Sequence, residues 1–427
     1  MKKVLMIAPY FLPRRRVGAL RPFKFAIHLS SYGYQPVVLT ISYPEGEFTD
    51  LEKKLLDDIS IIEIKSPFDR TTSKTQTKST KSGSENLLLN WLDKQTPIDS
   101  WIYLLRWKYG EILRRVKQVN PDIIWATGDP WSGLWLGEKL SQSLSKPFIA
   151  DFRDPWTLTE VNLRERSGFS MRIDKRVEKR VVQNADKLIF TSGLTEKRYV
   201  EKFNLPESKT RTIYNSYDST LTRVHKKETW GDRLNPDFLN MIFFGRFRRL
   251  SPVTAVADAL RELKTMNPKD ASYIHIHSFG EPDSESLKTI KQYGLEENFI
   301  YHDPVVPEKM VPVLESADIL LLSTNMEREE IIPAKLWDYL SVEVPIFSIA
   351  PNPEVGEIIM RSKAGIQVHP DEKKEIAELL QSFAKAKRDD ETLLLSPEKE
   401  IPDRNIYEAK HTSGELASVF DDLLKHG

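Results

Sequence analysis

The run Glu329-Glu330-Ile331-Ile332-Pro333-Ala334-Lys335-Leu336-Trp337-Asp338-Tyr339-Leu340 gathers carboxylates, a lysine and a proline at spacings that suit a phosphate-bearing ligand. It reads as a loop that turns into a helix. Proline at the first helical position gives up no hydrogen bond, and Leu336, Tyr339 and Leu340 recur at helical spacing. The free amides and partial positive charge of a helix start favour anions. Lys335 adds a full charge there, Glu330 precedes the turn, and Asp338 lies one turn further in. An ionised carboxylate only accepts hydrogen bonds, so either acid can hold the paired hydroxyls of a ribose while amides and lysine hold a diphosphate. The plainer alternative is a solvated Lys335–Asp338 pair, three residues apart and of little energetic consequence.

A second set of cations follows the apolar run Leu239 to Phe244, which delivers Gly245-Arg246-Phe247-Arg248-Arg249. Arginine pairs bidentately with phosphate oxygens, so a buried strand ending in this turn is placed to neutralise a diphosphate. In the first half, Gly18-Ala19 opens a helix after a loop holding Arg14, Arg15 and Arg16, and a glycine there lets backbone approach a ligand. Two later strands end at Asp129 and in Asp151-Phe152-Arg153-Asp154-Pro155-Trp156. Carboxylates flanking an arginine are either a structural lock or catalytic groups, and the sequence leaves both open. No Asp-x-Asp motif, GxGxxG fingerprint or cysteine occurs, so neither a metal clamp, a dinucleotide cofactor nor a disulfide is indicated.

These residues need a scaffold, and 427 of them exceed one ordinary core, which predicts two or three domains. With 62 basic and 62 acidic residues the chain is neutral, which argues against bulk nucleic-acid binding. Met1 to Ala8 reads as a first buried strand rather than a secretory signal, and no apolar segment approaches the ~20 residues needed to span a bilayer. A cytoplasmic protein is expected. Strand, loop, helix and strand alternate from Lys3 to Ile41 and again from Leu239 to Ile349, the pattern of two α/β sheets. The predicted divisions are a first domain over 1–218, a charged linker over 219–236, a second domain over 237–395, and a tail and helix over 396–427 returning to the first. Residues 70–84 read as a mobile polar loop. Residues 87–119 carry Trp91, Trp101, Tyr103, Trp107 and Tyr109 beside Arg106, Arg114, Arg115 and Lys117, a pattern of core or of a membrane surface.

In combination and in order, these motifs resemble a family 4-type glycosyltransferase of the GT-B fold, over nearly the whole chain. The carriers are the Asp-Phe-Arg-Asp-Pro-Trp segment, Phe-Phe-Gly-Arg at 243–246, Ala317-Asp318-Ile319, and Pro333 to Leu340. The resemblance implies two Rossmann-like domains facing each other across a cleft and closing over a nucleotide diphosphate sugar. It implies a retaining, metal-independent transfer of a hexose or related sugar to a hydroxyl of a glycan or lipid-linked acceptor, with peripheral contact at the inner face of the cell membrane left open. Glu330 and Asp338 stand at the family's Glu-x7-Glu, with Glu330 near the donor sugar. Arg246 would face the diphosphate. Ser251-Pro252 replace the family's Lys-Gly, so Arg248, Arg249 or Lys335 must supply that charge. Gly18 would approach the phosphates, while Arg153 and Asp154 occupy the region of the usual catalytic histidine. The turn Asp303 to Pro307 would meet the base. Alternatives on the same plan are a nucleotide-sugar epimerase or hydrolase, or a catalytically silent binding protein.

Overall fold

The computed structural model describes residues 1–14, 16–42, 47–65, 95–159, 166–222, 230–306, 309–391 and 404–425. Arg15, the polar run 70–84, Trp91 and Pro307 lie outside the described residues. The chain forms two compact units, Met1–Ser216 with Ala409–Gly427, and Tyr217–Glu408.

The first unit is built on β1 (Lys2–Ile7), β2 (Tyr34–Ile41), β3 (Ser60–Ile64), β4 (Ile123–Gly128), β5 (Phe148–Phe152), β6 (Lys187–Phe190) and β7 (Thr210–Thr212). They pair in parallel in the order β3-β2-β1-β4-β5-β6-β7. Parallel sheets are covered on both faces, which is why Val-Leu-Met-Ile and Ile-Ile-Trp-Ala-Thr-Gly are apolar without alternation and fully buried. Each buried Leu, Ile or Phe contributes about 1.5–3 kcal/mol. The first helix, Val17–His28, tightens into a 3₁₀ turn at Leu29–Tyr32 that Gly33 closes at φ +82°. Helix Ala409–Lys425 packs against that helix and against the start of β2, where the Phe420 ring lies 5.1 Å from that of Tyr34, whose hydroxyl donates to Asp421 at 2.7 Å.

The second unit holds β8 (Leu239–Phe243), β9 (Ile274–Phe279), β10 (Phe299–His302), β11 (Ile319–Ser323), β12 (Ile346–Ile349) and β13 (Gly365–Val368). Their order is β10-β9-β8-β11-β12-β13, again all parallel. The order reverses between β1 and β4 in one unit and between β8 and β11 in the other. Ligands of such sheets gather outside the carboxyl ends of the strands at that reversal. Trp230 and the turn Gly231–Arg233, from the end of the charged stretch before β8, fold onto this unit, with the Trp230 ring 5.4 Å from Phe279.

Candidate functional site

In the second unit the reversal brings together the turn after β8 and the helix Ala334–Leu340 that follows β11. The buried Tyr339 hydroxyl joins them. It accepts from the Phe244 N–H at 2.9 Å and donates to the Leu321 carbonyl at 3.1 Å, pinning the helix to the end of β8 and the middle of β11. Pro333 has φ −66° and ψ 135°, so it caps the helix rather than opening it, and the helix begins at Ala334. Glu330 is buried just before the cap.

Lys335 extends from this helix beneath Gly245. Its Nζ lies 3.6 Å from the centre of the Phe243 ring, and a β-carbon at Gly245 would stand 3.2 Å from both Cε and Nζ. At φ +121° Gly245 occupies backbone space that favours glycine. Burial, reinforced by the Arg248 charge and opposed by Asp338, pushes the Lys335 ammonium down to about 7. A neighbouring negative charge favours the charged form and so opposes that shift.

The three arginines of the turn divide. Arg246 is exposed and lies along Gly280, where a β-carbon would meet Arg246 Cβ at 3.4 Å and Pro304 Cγ at 4.0 Å. Arg248 is also exposed. Arg249 instead turns to Glu327, with Nη1 to Oε2 at 2.6 Å, while its backbone is held by Asp283 and Asn325. Sequence types alone rank the three equally; Glu327 separates them. At the carboxyl ends of β9 and β10 opens a cavity of about 770 Å³ lined by Trp230, Arg233, Glu281, Tyr301, His302 and Pro304, among others, and Gly280 lies between Pro304 and Arg246. Pockets for small ligands fall in this range. Below it, His302 Nε2 meets His277 Nδ1 at 2.9 Å, and His277 Nε2 meets Asn240 Oδ1 at 3.0 Å.

In the first unit, Gly18, Asp129, Arg153 and Asp154 converge at the β1–β4 reversal. Arg153 donates from Nη2 to the Asp129 carbonyl at 2.9 Å, and its Nε lies 3.5 Å from the Asp154 carboxylate. Its backbone is fixed by an N–H to Gly128 and by the Thr191 hydroxyl. A β-carbon at Gly18 would fall 2.1 Å from Arg153 Nη1, so the guanidinium occupies the space where a side chain at position 18 would begin. Asp151, within β5, does different work: buried, it takes both Arg21 Nε at 2.8 Å and Nη2 at 3.0 Å. The Asp151–Arg21 pair is a lock, while Arg153 and Asp154 stay at the partly open strand end.

Two sequence-family models match the chain, "Glycosyltransferase Family 4" over residues 89–221 and "Glycosyl transferases group 1" over residues 239–385. The chain is a family 4-like glycosyltransferase of the GT-B fold. Solved structures agree on that fold along the whole length. A glycosyltransferase from Rickettsia africae ESF-5 is similar at 13% identity and TM-score 0.62, covering 100% of this chain and 99% of its own. Anabaena Alr3699/HepE in complex with UDP and glucose is similar at 13% identity and TM-score 0.61, over 99% and 100%. Sucrose-phosphate synthase from Thermosynechococcus elongatus is similar at 13% and 0.61, over 100% of both chains. A comparison with curated proteins finds no match.

For this glycosyltransferase, sequence reasoning passed over Arg21, the histidine pair and Asp99. Burial pushes Asp99 up to about 6, against the amide hydrogen bonds it accepts from Ser132 and Trp101 and with a further rise from nearby Asp129. A signal existed for Arg21, a cation at helical spacing from Gly18 and Phe25 on an apolar face. None existed for His277 and His302, which alternate with apolar residues like any strand position.

Proposed function

We propose that this glycosyltransferase is a retaining, metal-independent hexosyltransferase that uses a nucleotide diphosphate sugar and delivers the sugar to a hydroxyl of a glycan or lipid-linked glycan. The observation that carries the reading is the juxtaposition of Lys335, Gly245 and Arg246 at the β8–β11 reversal, with Arg248 close enough to depress the lysine. A departing nucleoside diphosphate carries away the bonding electrons of the glycosidic C–O bond, and fixed cations stabilise that charge as it develops. Arg246 and Lys335 serve the two phosphates, in the role a divalent cation plays elsewhere. Lys335 takes the place of the family's missing lysine; Arg249, held by Glu327, does not. Asp338 receives the ribose hydroxyls, Glu330 lies toward the sugar, and the 770 Å³ cavity at the ends of β9 and β10 takes the nucleoside. Arg153 and Asp154, set against Gly18, serve the acceptor and the proton it loses.

The acceptor is met at a membrane surface. Helix Ile102–Trp107 buries Ile102 and Leu105 but leaves Tyr103 and Trp107 61% and 66% exposed, with Arg106 exposed between them. Aromatic and basic side chains on one face suit an anionic headgroup layer. No helix among the described residues is long and apolar enough to cross a membrane.

The test is calorimetric titration of UDP and GDP into wild type, Arg246→Ala and Asp338→Ala, followed by proton NMR of the sugar transferred from the donor that binds. Binding lost in both variants with unchanged melting temperature, and an anomeric configuration equal to the donor's, are expected. Donor turnover that ignores acceptor points to a hydrolase or epimerase, and binding without turnover to a silent protein. A protein that stays in solution with anionic liposomes removes the membrane contact, and co-flotation that survives Tyr103→Ser/Trp107→Ser takes the contact away from this helix.

A further inference from the structure

The histidine pair under the cavity fixes its own protons. Asn240 is buried on β8, and its Nδ2 donates to two carbonyls, Asn235 at 2.9 Å and Phe238 at 2.9 Å. The amide therefore cannot turn, and its Oδ1 faces His277 Nε2 at 3.0 Å. An amide oxygen only accepts, so Nε2 of His277 must carry the proton. Burial drives the His277 pKa down to about 3, and a neutral imidazole has one N–H, which leaves Nδ1 bare. The bare Nδ1 lies 2.9 Å from His302 Nε2, which must then be the protonated nitrogen of that ring. Burial and the Arg233 charge lower the His302 pKa as well, so this ring is also neutral near pH 7. The proton it lacks is the one on Nδ1.

His302 lines the cavity with Trp230, Tyr301 and Glu281. Its ring is clamped, edge to face with Trp230 at 4.9 Å and stacked on Phe279 at 5.3 Å. Among the described residues, Nδ1 has no hydrogen-bond partner. Asn240, through His277, thus holds a hydrogen-bond acceptor on a ring that lines the cavity.

Resting on the reading that this cavity takes the donor's nucleoside, we propose that His302 selects the base: its Nδ1 accepts the ring N–H of a lactam-type base, as in uracil, thymine or guanine. Adenine and cytosine bring a bare ring nitrogen to the same place, and two acceptors face each other without a proton between them. His277 and Asn240 are positioning residues, because they act through the tautomer of His302 and do not touch the ligand.

Nitrogen-15 NMR of the imidazole rings tests the relay directly. In the free wild-type protein at pH 7, His302 is expected neutral with Nε2 protonated, and a saturating nucleoside diphosphate moves the Nδ1 resonance toward that of a hydrogen-bonded acceptor. An Nδ1-protonated or charged His302 overturns the proposal. Calorimetry supplies the second readout, using UDP and GDP with their N3-methyluridine and N1-methylguanosine counterparts. In wild type, methylation lowers affinity by about tenfold or more, the effect of one lost hydrogen bond at a desolvated site. In His302→Phe the unmethylated ligand loses about tenfold and the methylation penalty shrinks. A penalty of equal size in both proteins overturns the selection. If neither nucleotide binds, the donor reading falls and the selection with it; if binding depends on Arg246 but ignores His302, only the selection falls. Asn240→Leu should mix the His302 tautomers in the NMR spectrum, and the wild-type spectrum decides the matter should that variant not fold.

Discussion

The Nζ of Lys335 stands 3.6 Å from the centre of the Phe243 ring, covered by the backbone of Gly245. A cation over an aromatic face gains about 0.5–2 kcal/mol, yet this ammonium has lost enough water that its pKa falls to about 7. An unfolded lysine keeps its proton to about pH 10.4. Between about pH 7 and pH 10 the unfolded chain therefore binds the extra proton, and the stability of the free protein rises with pH across that window. Lys335→Met should flatten that rise, read as the difference between urea midpoints at pH 7 and pH 9.5. Nucleotide binding carries the opposite sign, because phosphate needs the charged lysine. UDP or GDP affinity should fall from pH 6.5 to pH 8.5 in wild type. In Lys335→Met it should be pH-independent and about tenfold weaker, one charge-assisted contact having gone. Parallel pH curves for the two proteins would refute the assignment.

Arg246 and Arg249 sit three residues apart on one turn and should behave differently. Arg246→Ala removes an exposed guanidinium whose stem lies along Gly280, so affinity for a nucleoside diphosphate is expected to drop by about 1.5–3 kcal/mol with no change in melting temperature. Arg249→Ala breaks a half-exposed pair with Glu327, worth about 0–1 kcal/mol of stability, and leaves affinity nearly unaltered. Equal losses of affinity would mean that Arg249 leaves Glu327 when ligand arrives.

That contrast marks where the sequence stops being legible. The two sheets could be read because parallel strands buried on both faces are written as unbroken apolar runs, Val4 to Ile7 and Leu320 to Leu322 among them. Arg246, Lys335, Glu330 and Asp338 stand out as candidates by residue type and by their place at strand ends. What Lys335 touches could not be read, since its contact with Gly245 depends on β8 lying beside β11, a property of strand order. Glu327 lies 78 residues from Arg249, and Asp151 lies 130 from Arg21. No local spacing announces such pairs. The short strands β7 and β13 escaped for a different reason, since Thr-Arg-Thr and Gly-Ile-Gln-Val carry no unbroken apolar run.

Arg21 and Asp151 make a two-bond buried pair, 4% and 0% exposed, with a further bond from Arg21 Nη1 to the Tyr214 carbonyl at 2.8 Å. Removing one partner strands the other charge in the core. Arg21→Met should therefore cost about 3–5 kcal/mol in urea unfolding, and Arg21→Met/Asp151→Leu should recover a good part of it. A single variant as stable as wild type would place water or another cation at the carboxylate.

Gly18 and Arg153 are coupled by contact, and the coupling can be measured. A methyl group at Gly18 would fall 2.1 Å from Arg153 Nη1 and 2.8 Å from Cζ, so Gly18→Ala must push the guanidinium off its seat. The intruding group meets the far end of a side chain, not backbone, so the fold should hold, with a melting temperature close to wild type. Activity is another matter, because the Arg153 bonds to Asp129 and its approach to Asp154 depend on that seat. Gly18→Ala should lower kcat by about tenfold or more, the usual consequence of misplacing a positioned group. Arg153→Met should lower it at least as far. If Gly18 acts only by seating Arg153, the double variant will be no slower than Arg153→Met alone, giving a coupling energy equal to the whole effect of Gly18→Ala. Additive losses would instead mean that Gly18 approaches the substrate in its own right, as the glycine at the start of a helix near a phosphate would.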